Sequence, residues 1–401
     1  MLATEARNCL LEGWILVRQA TMLNGHIALP NGRSVPMTTT SPSLSSEFAG
    51  VGTEKAGTLK PALRSIPREC LERPTHKGAF IVARAISLWI LSLIVLFTWD
   101  NPIIVALGWV FASLALAGMF VVGHDAAHGS LFNSKKANKV IGRLLFLPEL
   151  HSYEGWLLGH NRLHHGHTVR EQMDFVWHPT TPEEYQAMSK ARKFQHRIEW
   201  SFLGSGLYYI RNVWWDKMIS FTPPERYRER IKKDVRFVAL IGTLTAIALF
   251  SYGLARYDSV LGALWMIVKV VGVPWFGFMT IIGWTVYVHH ISPEIKWWPR
   301  NQWDSYKGQI EGTTILDCPR IINTLFFYNI FVHVPHHVDM RIPCYNLPLA
   351  ARALEDAFPD IRRKNLRFRD YLQTVKMCKL YNFETHTWHN HDGEVTAFAI
   401  D

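Results

Sequence analysis

The sequence predicts an all-α membrane protein: four transmembrane helices, with a cytoplasmic helical cap that carries a histidine-rich metal site. Three observations predict this class. Long apolar runs alternate with basic, aromatic-rich segments, Lys and Arg concentrate on one side of these runs, and histidines cluster at helical spacing. The hydrophobic fraction of 48% is ordinary for a chain of 401 residues. Its distribution in long runs is what indicates a multi-pass membrane protein.

The two ends of the chain are predicted to lie outside the membrane domain. Residues 1–74 are expected to form a largely disordered N-terminal extension, because 35–57 is rich in Ser, Thr and Gly. Such a composition cannot bury enough apolar surface to offset its ordering entropy. The membrane domain is predicted over 75–385. A flexible tail, 386–401, is expected after it, and flexibility is preferred over adventitious metal binding for its histidine cluster, His386, His389 and His391.

Four apolar runs are predicted to cross the membrane, at about 79–99, 103–122, 235–253 and 260–288. Each is long enough to cross roughly 30 Å of hydrocarbon as a helix. Asp100, Asn101 and Pro102 predict a tight turn between the first two. The fourth run contains Lys269, and a lysine at that depth is costly unless it faces protein or water.

The distribution of basic residues predicts the orientation. The segment 123–234 is rich in Lys and Arg, whereas the short connections on the other side offer only Arg256. The positive-inside rule therefore places both termini and the histidine clusters in the cytoplasm, with a bacterial inner membrane as the expected location. The net charge of +10 fits contact with anionic lipid next to apolar spans better than nucleic-acid binding.

Three histidine motifs lie on this predicted cytoplasmic side. They are "HDAAH" (124–128), "HNRLHH" (160–165) and "HVPHH" (333–337). Residues four apart share one face of a helix, so His124 is expected beside His128 and His160 beside His164. The clustered set predicts a shared metal site and comprises His124, His128, His160, His164, His165, His333, His336 and His337.

The number of histidines indicates two ions. Eight clustered imidazoles exceed the four ligands of a closed zinc site. Imidazole also suits iron, copper and nickel, and two irons at a bilayer surface suggest oxygen activation on an apolar substrate. Asp125, Asp174 and Asp339 stand near these histidines. Each could orient an imidazole, and a capping or surface role is equally open for each.

Three functions remain open at this point. Abstraction of two vicinal hydrogens gives an alkene, and abstraction followed by oxygen rebound gives an alcohol, so a desaturase and a hydroxylase fit equally. A non-enzymatic metal transporter would place histidines within the spans to line a path, whereas these clusters lie at or beyond the span ends. Either enzyme needs electrons from outside the chain. Neither an HPGG haem signature nor a CxxxxCxxC ferredoxin run is present, so a separate donor protein is expected.

Over roughly 75–385 the chain resembles the integral-membrane fatty acid desaturases, especially their bacterial and cyanobacterial acyl-lipid Δ12 (ω6) branch. The resemblance rests on "GHDAAHGSLF", "GHNRLHHGHT" followed by "DFVWHP", and "HVPHHVDMRIPCYNL". It implies that the motif histidines hold a di-iron centre that uses O2 as co-substrate, with no catalytic residue beyond the ligands. It also implies a ninth ligand in "YVHHISPE", for which we prefer His290 over His289. Tyr328 departs from the family pattern, because many relatives have a further histidine there.

The resemblance further implies the substrate and the donor. It predicts O2-dependent insertion of a double bond into an acyl chain carried by a membrane lipid or an acyl thioester. The alternative is a membrane di-iron hydroxylase of an alkane, fatty acid or carotenoid. Ferredoxin is the expected electron donor, with cytochrome b5 as the eukaryotic alternative.

Overall fold

A computed structural model describes residues 57–399, together with three short antiparallel strands near the N-terminus, Met22–Leu23, His26–Ala28 and Ser34–Pro36. The chain divides into two units, Met1–Thr53 and Glu54–Asp401, and the second contains all the features discussed below. The prediction of a disordered extension over 1–74 lies mostly outside the described residues. The folded part begins before the expected boundary, because Lys60–Ser65 is helical and Ala62 is buried in the main core.

Four long apolar helices confirm the predicted spans. The first to fourth spans are Thr75–Thr98, Pro102–His128, Glu225–Tyr257 and Val260–His290. At 1.5 Å per residue, the 27-residue second span is about 40 Å long, which exceeds roughly 30 Å of hydrocarbon. The second and fourth spans both end in histidines, and they run in the same direction through the layer. Their histidine-bearing ends therefore meet on one side of the membrane.

Lys269 has a structural explanation that its sequence position did not reveal. It lies in a π-helical turn of the fourth span, Val268–Gly272, and is fully buried. Its Nζ is 2.6 Å from Oδ1 of Asp100 and donates to the Trp99 carbonyl at 3.2 Å. Asp100 stands between the first two spans. The lysine therefore carries its charge to the membrane surface opposite the histidines.

The helix Lys135–Phe146 folds back along the second span. Glycines allow the close approach: a Cβ at Gly123 would lie 2.9 Å from the Phe146 ring, and one at Gly142 would lie 2.7 Å from the Tyr153 ring. The remaining helices on this side form the cap. They are Arg68–Leu71 (3-10), Tyr153–Trp156, Leu157–His164 (π), His165–His167, Pro182–Ala187, Lys190–Glu199, Ser205–Tyr208, Tyr209–Ile219 (π), Lys307–Glu311 (π), Arg320–Leu325, His333–Val338, Cys344–Asn346 (3-10), Leu347–Ala357 and Phe368–Met377.

Two small sheets complete the cap. Ile315–Asp317 pairs in parallel with Arg363–Asn365. The strands Leu380–Asn382, Thr387–His389 and Val395–Phe398 form an antiparallel sheet, in which Trp388 is fully buried. The expected domain end at 385 falls inside this sheet. The segment we expected to be a flexible tail is therefore part of the folded domain as far as the structure describes it, because burial of Trp388 anchors it.

Candidate metal centre

The second span supplies the first pair of imidazoles. The helix continues through "HDAAH" and ends at Gly129, which adopts a left-handed conformation with φ of 73°. Nε2 of His124 and Nε2 of His128 are 3.3 Å apart. The predicted i,i+4 spacing therefore brings these two side chains together, as expected.

The second motif lies on a π-helix, which divides its histidines between two sets of ligand atoms. Leu157–His164 is π-helical, so a residue meets the one five positions later. Nε2 of His160 is 3.1 Å from Nε2 of His165 and equally 3.1 Å from Nε2 of His124. His160 and His164 were expected to lie on one face, and their rings are 5.1 Å apart. Their ligand nitrogens nevertheless belong to different sets, because His160 meets His124 and His165 whereas His164 meets His290 and His337.

The third motif is a short buried helix, His333–Val338, that contributes to both groups. Nε2 of His337 is 3.1 Å from Nε2 of His333. The ring of His336 lies 4.7 Å from that of His124 and 4.8 Å from that of His165. This helix therefore presents histidines at positions i and i+4 to one group and its intervening histidine to the other.

Two sets of ring nitrogens result, each with its ligand atoms within 4.8 Å of one another. We name them group A and group B. Group A comprises His124, His128, His160, His165 and His336, and group B comprises His164, His290 and His337. His333 adjoins group B through its 3.1 Å contact with His337. Each group has the composition of a site for one metal ion.

The end of the fourth span distinguishes its two histidines. The His290 ring lies 4.8 Å from that of His164 and 4.9 Å from that of His337, within group B. His289 lies outside both groups and stacks on His333, with ring centroids 3.9 Å apart. The geometry therefore places His290 within group B and His289 beside His333.

The protonation state of the cap histidines suits metal binding. Burial is the main cause that holds the pKa of His160, His165 and His336 well below the usual value of 6.5, and neighbouring imidazoles lower it further. Each ring is therefore neutral at pH 7 and offers a lone pair. Both nitrogens of His336 and Nε2 of His290 are buried without a hydrogen-bond partner. Unpartnered buried nitrogens are costly in a protein interior, and metal coordination would satisfy them.

Outer hydrogen bonds fix the rings of group B. Oδ1 of fully buried Asp174 is 2.9 Å from Nδ1 of His164. The Gly312 carbonyl is 3.0 Å from Nδ1 of His290, and Oε1 of Gln309 is 2.9 Å from Nδ1 of His337. Such partners orient a ligating imidazole and raise its basicity. All three bonds leave Nε2 as the nitrogen that points into the group.

The other two predicted carboxylates differ from Asp174. Asp125 is 3.4 Å from Nδ1 of His124 and accepts a 2.7 Å bond from the Cys344 amide, so it joins the second span to the cap. The Asp339 carboxylate pairs with Arg341 at 2.7 Å rather than with an imidazole. Asp339 is buried and also accepts a 2.9 Å bond from the Arg341 amide, so it closes the turn that follows the third motif.

Sequence reasoning missed several of these supporting groups. Gln309 also donates a 2.6 Å bond from Nε2 to the His165 carbonyl, so it links the two groups. Thr168 lies 3.2 Å from Nδ1 of His337. The Trp156 ring stacks on His160 with centroids 4.2 Å apart. None of them carries a charge or belongs to a histidine motif, so the sequence offers no signal for their role.

An apolar cavity of about 50 Å³ adjoins both groups. Histidines from groups A and B line one end, and aromatic and aliphatic side chains line the rest. The apolar lining residues are Phe120, Val121, Trp156, Phe175, Val176, Tyr209, Val213, Met218, Ile282, Val286 and Ile330. The arrangement sets an apolar surface against two groups of potential metal ligands.

Comparisons with known proteins agree with this geometry. The family model for fatty acid desaturases matches residues 100–368. The chain is 28% identical to the sn-1 oleoyl-lipid 12-desaturase of Anabaena variabilis, over 80% of this chain and 89% of the relative. The corresponding enzyme of Synechocystis is 29% identical, over 81% of this chain and 90% of the relative. A chloroplastic omega-6 fatty acid desaturase of Arabidopsis thaliana is 30% identical, over 82% of this chain and 70% of the relative. With four membrane spans and a buried histidine cluster beside an apolar cavity, this chain belongs to the fatty acid desaturase family.

Proposed function

We propose that this protein is an acyl-lipid desaturase that inserts a double bond at the Δ12 (ω6) position of a membrane-borne acyl chain, using two irons and O2. The observation that carries this proposal is the pair of imidazole groups at the end of an apolar cavity. The relatives named as oleoyl-lipid 12-desaturases and omega-6 desaturases support the position of the new bond.

Nine histidines hold the two irons in this proposal. Group A binds one ion, and group B together with His333 binds the other. The neutral, buried nitrogens and the outer hydrogen bonds support this assignment, and imidazole is a suitable ligand for iron. When bound, reduced iron supplies the activation of O2 that removal of hydrogen from an unactivated methylene requires. The protein side chains contribute no acid or base of their own.

The side chains around the ions position the substrate and exclude water. Phe120, Ile282 and Val286 line the cavity wall, so a methylene group can lie beside the metal groups without solvent. The cavity is smaller than the roughly 300–1,000 Å³ of typical ligand sites. Lining side chains must therefore move when an acyl chain binds. Met218 is the most adaptable of them, because its side chain is unbranched.

The basic residues of the cap support an orientation and a partner. By the positive-inside rule the histidine side faces the cytoplasm, and a bacterial inner membrane is the proposed location. A basic surface attracts an acidic electron carrier, so ferredoxin is the proposed donor, with cytochrome b5 as the alternative. The partners in this account are lipid and donor protein, and nucleic acid has no part.

Fatty acid analysis of an expressing host tests the proposal. The host membrane should contain monounsaturated chains and a compatible ferredoxin. Gas chromatography with mass spectrometry is expected to show new diunsaturated chains with the second double bond on the methyl side of the first. A His336→Ala variant provides the inactive control. Hydroxylated chains without new alkenes would replace the desaturase with the hydroxylase alternative, and an unchanged profile with an active donor would contradict both.

A further inference from the structure

A second cavity, of about 210 Å³, lies beside the first span on the histidine side of the membrane, and we name it the lateral cavity. The first span forms one wall with Lys77, Phe80 and Arg84, and the cap forms the other with Tyr328 and Tyr345. The Phe80 side chain is 65% exposed, and Ile321 on the neighbouring helix Arg320–Leu325 is 76% exposed. Apolar side chains exposed at the end of a membrane span face lipid. The cavity therefore opens sideways, towards the bilayer.

Two cations point into this cavity without acidic partners. Lys77 and Arg84 lie two helical turns apart on one face, and neither forms an ion pair with any residue that the structure describes. Lys77 lies 5.4 Å from the centroid of the Tyr345 ring, and the Arg84 guanidinium lies 4.4 Å from that of Tyr328. The cations are thus held by aromatic rings, which position a charge without neutralising it.

Arg84 is the stronger indication of a ligand. It lies well inside the first span, where an arginine is costly and usually marks a functional site. One Nη2 bond, to the Thr324 carbonyl at 2.8 Å, fixes its direction. Its Nε is buried and has no hydrogen-bond partner. A guanidinium that forms no ion pair with a described residue matches an oxyanion such as a phosphate.

The wall between the two cavities is strained. Tyr328 and Asn329 have φ angles of 46° and 62°, in the left-handed region that non-glycine residues rarely adopt. Both residues line the lateral cavity, and the next residue, Ile330, lines the cavity of the metal groups. Such strain concentrates at sites that bind or move. Tyr328 occupies the position where many members of the resembled family have a further histidine. It lies outside groups A and B and forms part of this wall.

We propose that the lateral cavity binds the phosphate of an anionic glycerophospholipid from the leaflet on the histidine side. Arg84 holds the phosphate through its guanidinium, and Lys77 adds a second positive charge nearer the surface. Phe80 and Tyr345 contact the carbons of the glycerol and the upper acyl chains. The site is separate from groups A and B, and its occupancy does not depend on the proposed desaturase activity.

Lipid binding to the purified full-length protein in detergent micelles tests this site. Native mass spectrometry would compare the binding of phosphatidylglycerol with that of an uncharged galactosyl diacylglycerol. Competition with inorganic phosphate and with oleate would identify the chemical group that the cavity binds. One phosphatidylglycerol per chain is expected. Lys77→Gln and Arg84→Gln should each weaken it about fivefold, and the double variant about 25-fold. Lys136→Gln, which removes an exposed lysine from the cap helix Lys135–Phe146, is the matched control and should change nothing.

The other outcomes overturn the proposal. Equal affinity in the wild type and the double variant would do so, as would equal weakening by Lys136→Gln, which would show non-specific attraction. Displacement by inorganic phosphate would assign the site to free phosphate, and displacement by oleate would assign it to a carboxylate. If Arg84→Gln fails to fold, Lys77→Gln decides alone, because Lys77 is exposed. An unchanged affinity in that variant would be sufficient to reject the site.

Discussion

The Asp174 carboxylate is the most informative single position beside the metal groups. It is fully buried and accepts three hydrogen bonds, from His164 Nδ1 at 2.9 Å, the Val169 amide at 2.9 Å and the Val176 amide at 3.1 Å. Asp174→Asn keeps the shape but replaces one acceptor oxygen with an NH2 group, which must face a donor. Loss of an outer partner typically lowers metal affinity 10- to 100-fold, or roughly 1.4–2.8 kcal/mol.

Chelator titration of the iron-loaded protein measures this effect. Asp174→Asn is expected to release iron from group B at about 10- to 100-fold lower chelator concentration than the wild type. Asp339→Asn is the matched control, because that carboxylate pairs with Arg341 rather than with an imidazole, and it should retain iron as the wild type does. Thermal melting of both variants would exclude global unfolding. Equal iron retention in Asp174→Asn and the wild type would refute the role of this hydrogen bond, and an equal loss in the control would make it non-specific.

Three further predictions follow from buried groups. His290→Ala should lower iron occupancy and abolish turnover, whereas His289→Gln should have a smaller effect on both. Elemental analysis and product assays measure these effects. A larger loss of iron in the His289 variant would contradict the geometry of group B. Burial without a hydrogen-bond partner among the described residues raises the pKa of the Glu149 carboxyl well above 4.5. The free energy of unfolding should therefore fall as the pH rises from the pKa of Glu149 in the unfolded chain towards its raised pKa in the folded protein. Glu149→Gln should therefore raise the melting temperature at pH 8 but not at pH 4, and equal shifts at both would exclude titration. Asp100→Asn should lower the melting temperature more than Lys269→Met does. The first change leaves the buried Lys269 ammonium without its counterion, whereas the second leaves Asp100 paired with Arg256. A larger loss in Lys269→Met would contradict this explanation of the ion pair.

Hydropathy and helical periodicity were sufficient to predict the frame of the molecule. The four spans follow from apolar runs long enough for the bilayer, and the His124–His128 contact follows from the α-helical repeat. The three histidine motifs were expected to meet on one side, and the structure brings them together. These features depend on local sequence and on a simple physical constraint, the thickness of the hydrocarbon layer.

The division of the histidines into two groups could not be predicted in the same way. It depends on the π-helix Leu157–His164, which places His160 and His165 in group A and His164 in group B, although the rings of His160 and His164 are 5.1 Å apart. A π-helix is stabilised by tertiary packing, and no residue pattern in this segment distinguishes it from an α-helix. The same holds for the partners of the rings. Gln309 and the Gly312 carbonyl approach the site from a segment far along the chain, and Lys269 finds Asp100 only once the spans have packed.

Metal content tests the central claim most directly. The protein, loaded anaerobically with ferrous iron, should contain two irons per chain by elemental analysis. His336→Ala should retain only the iron of group B, and His337→Ala only that of group A, because each variant removes a ligand from one group. One iron per chain in the wild type, or complete loss of iron in both variants, would contradict two separate imidazole sites. An active preparation that contains only zinc would contradict the iron chemistry itself.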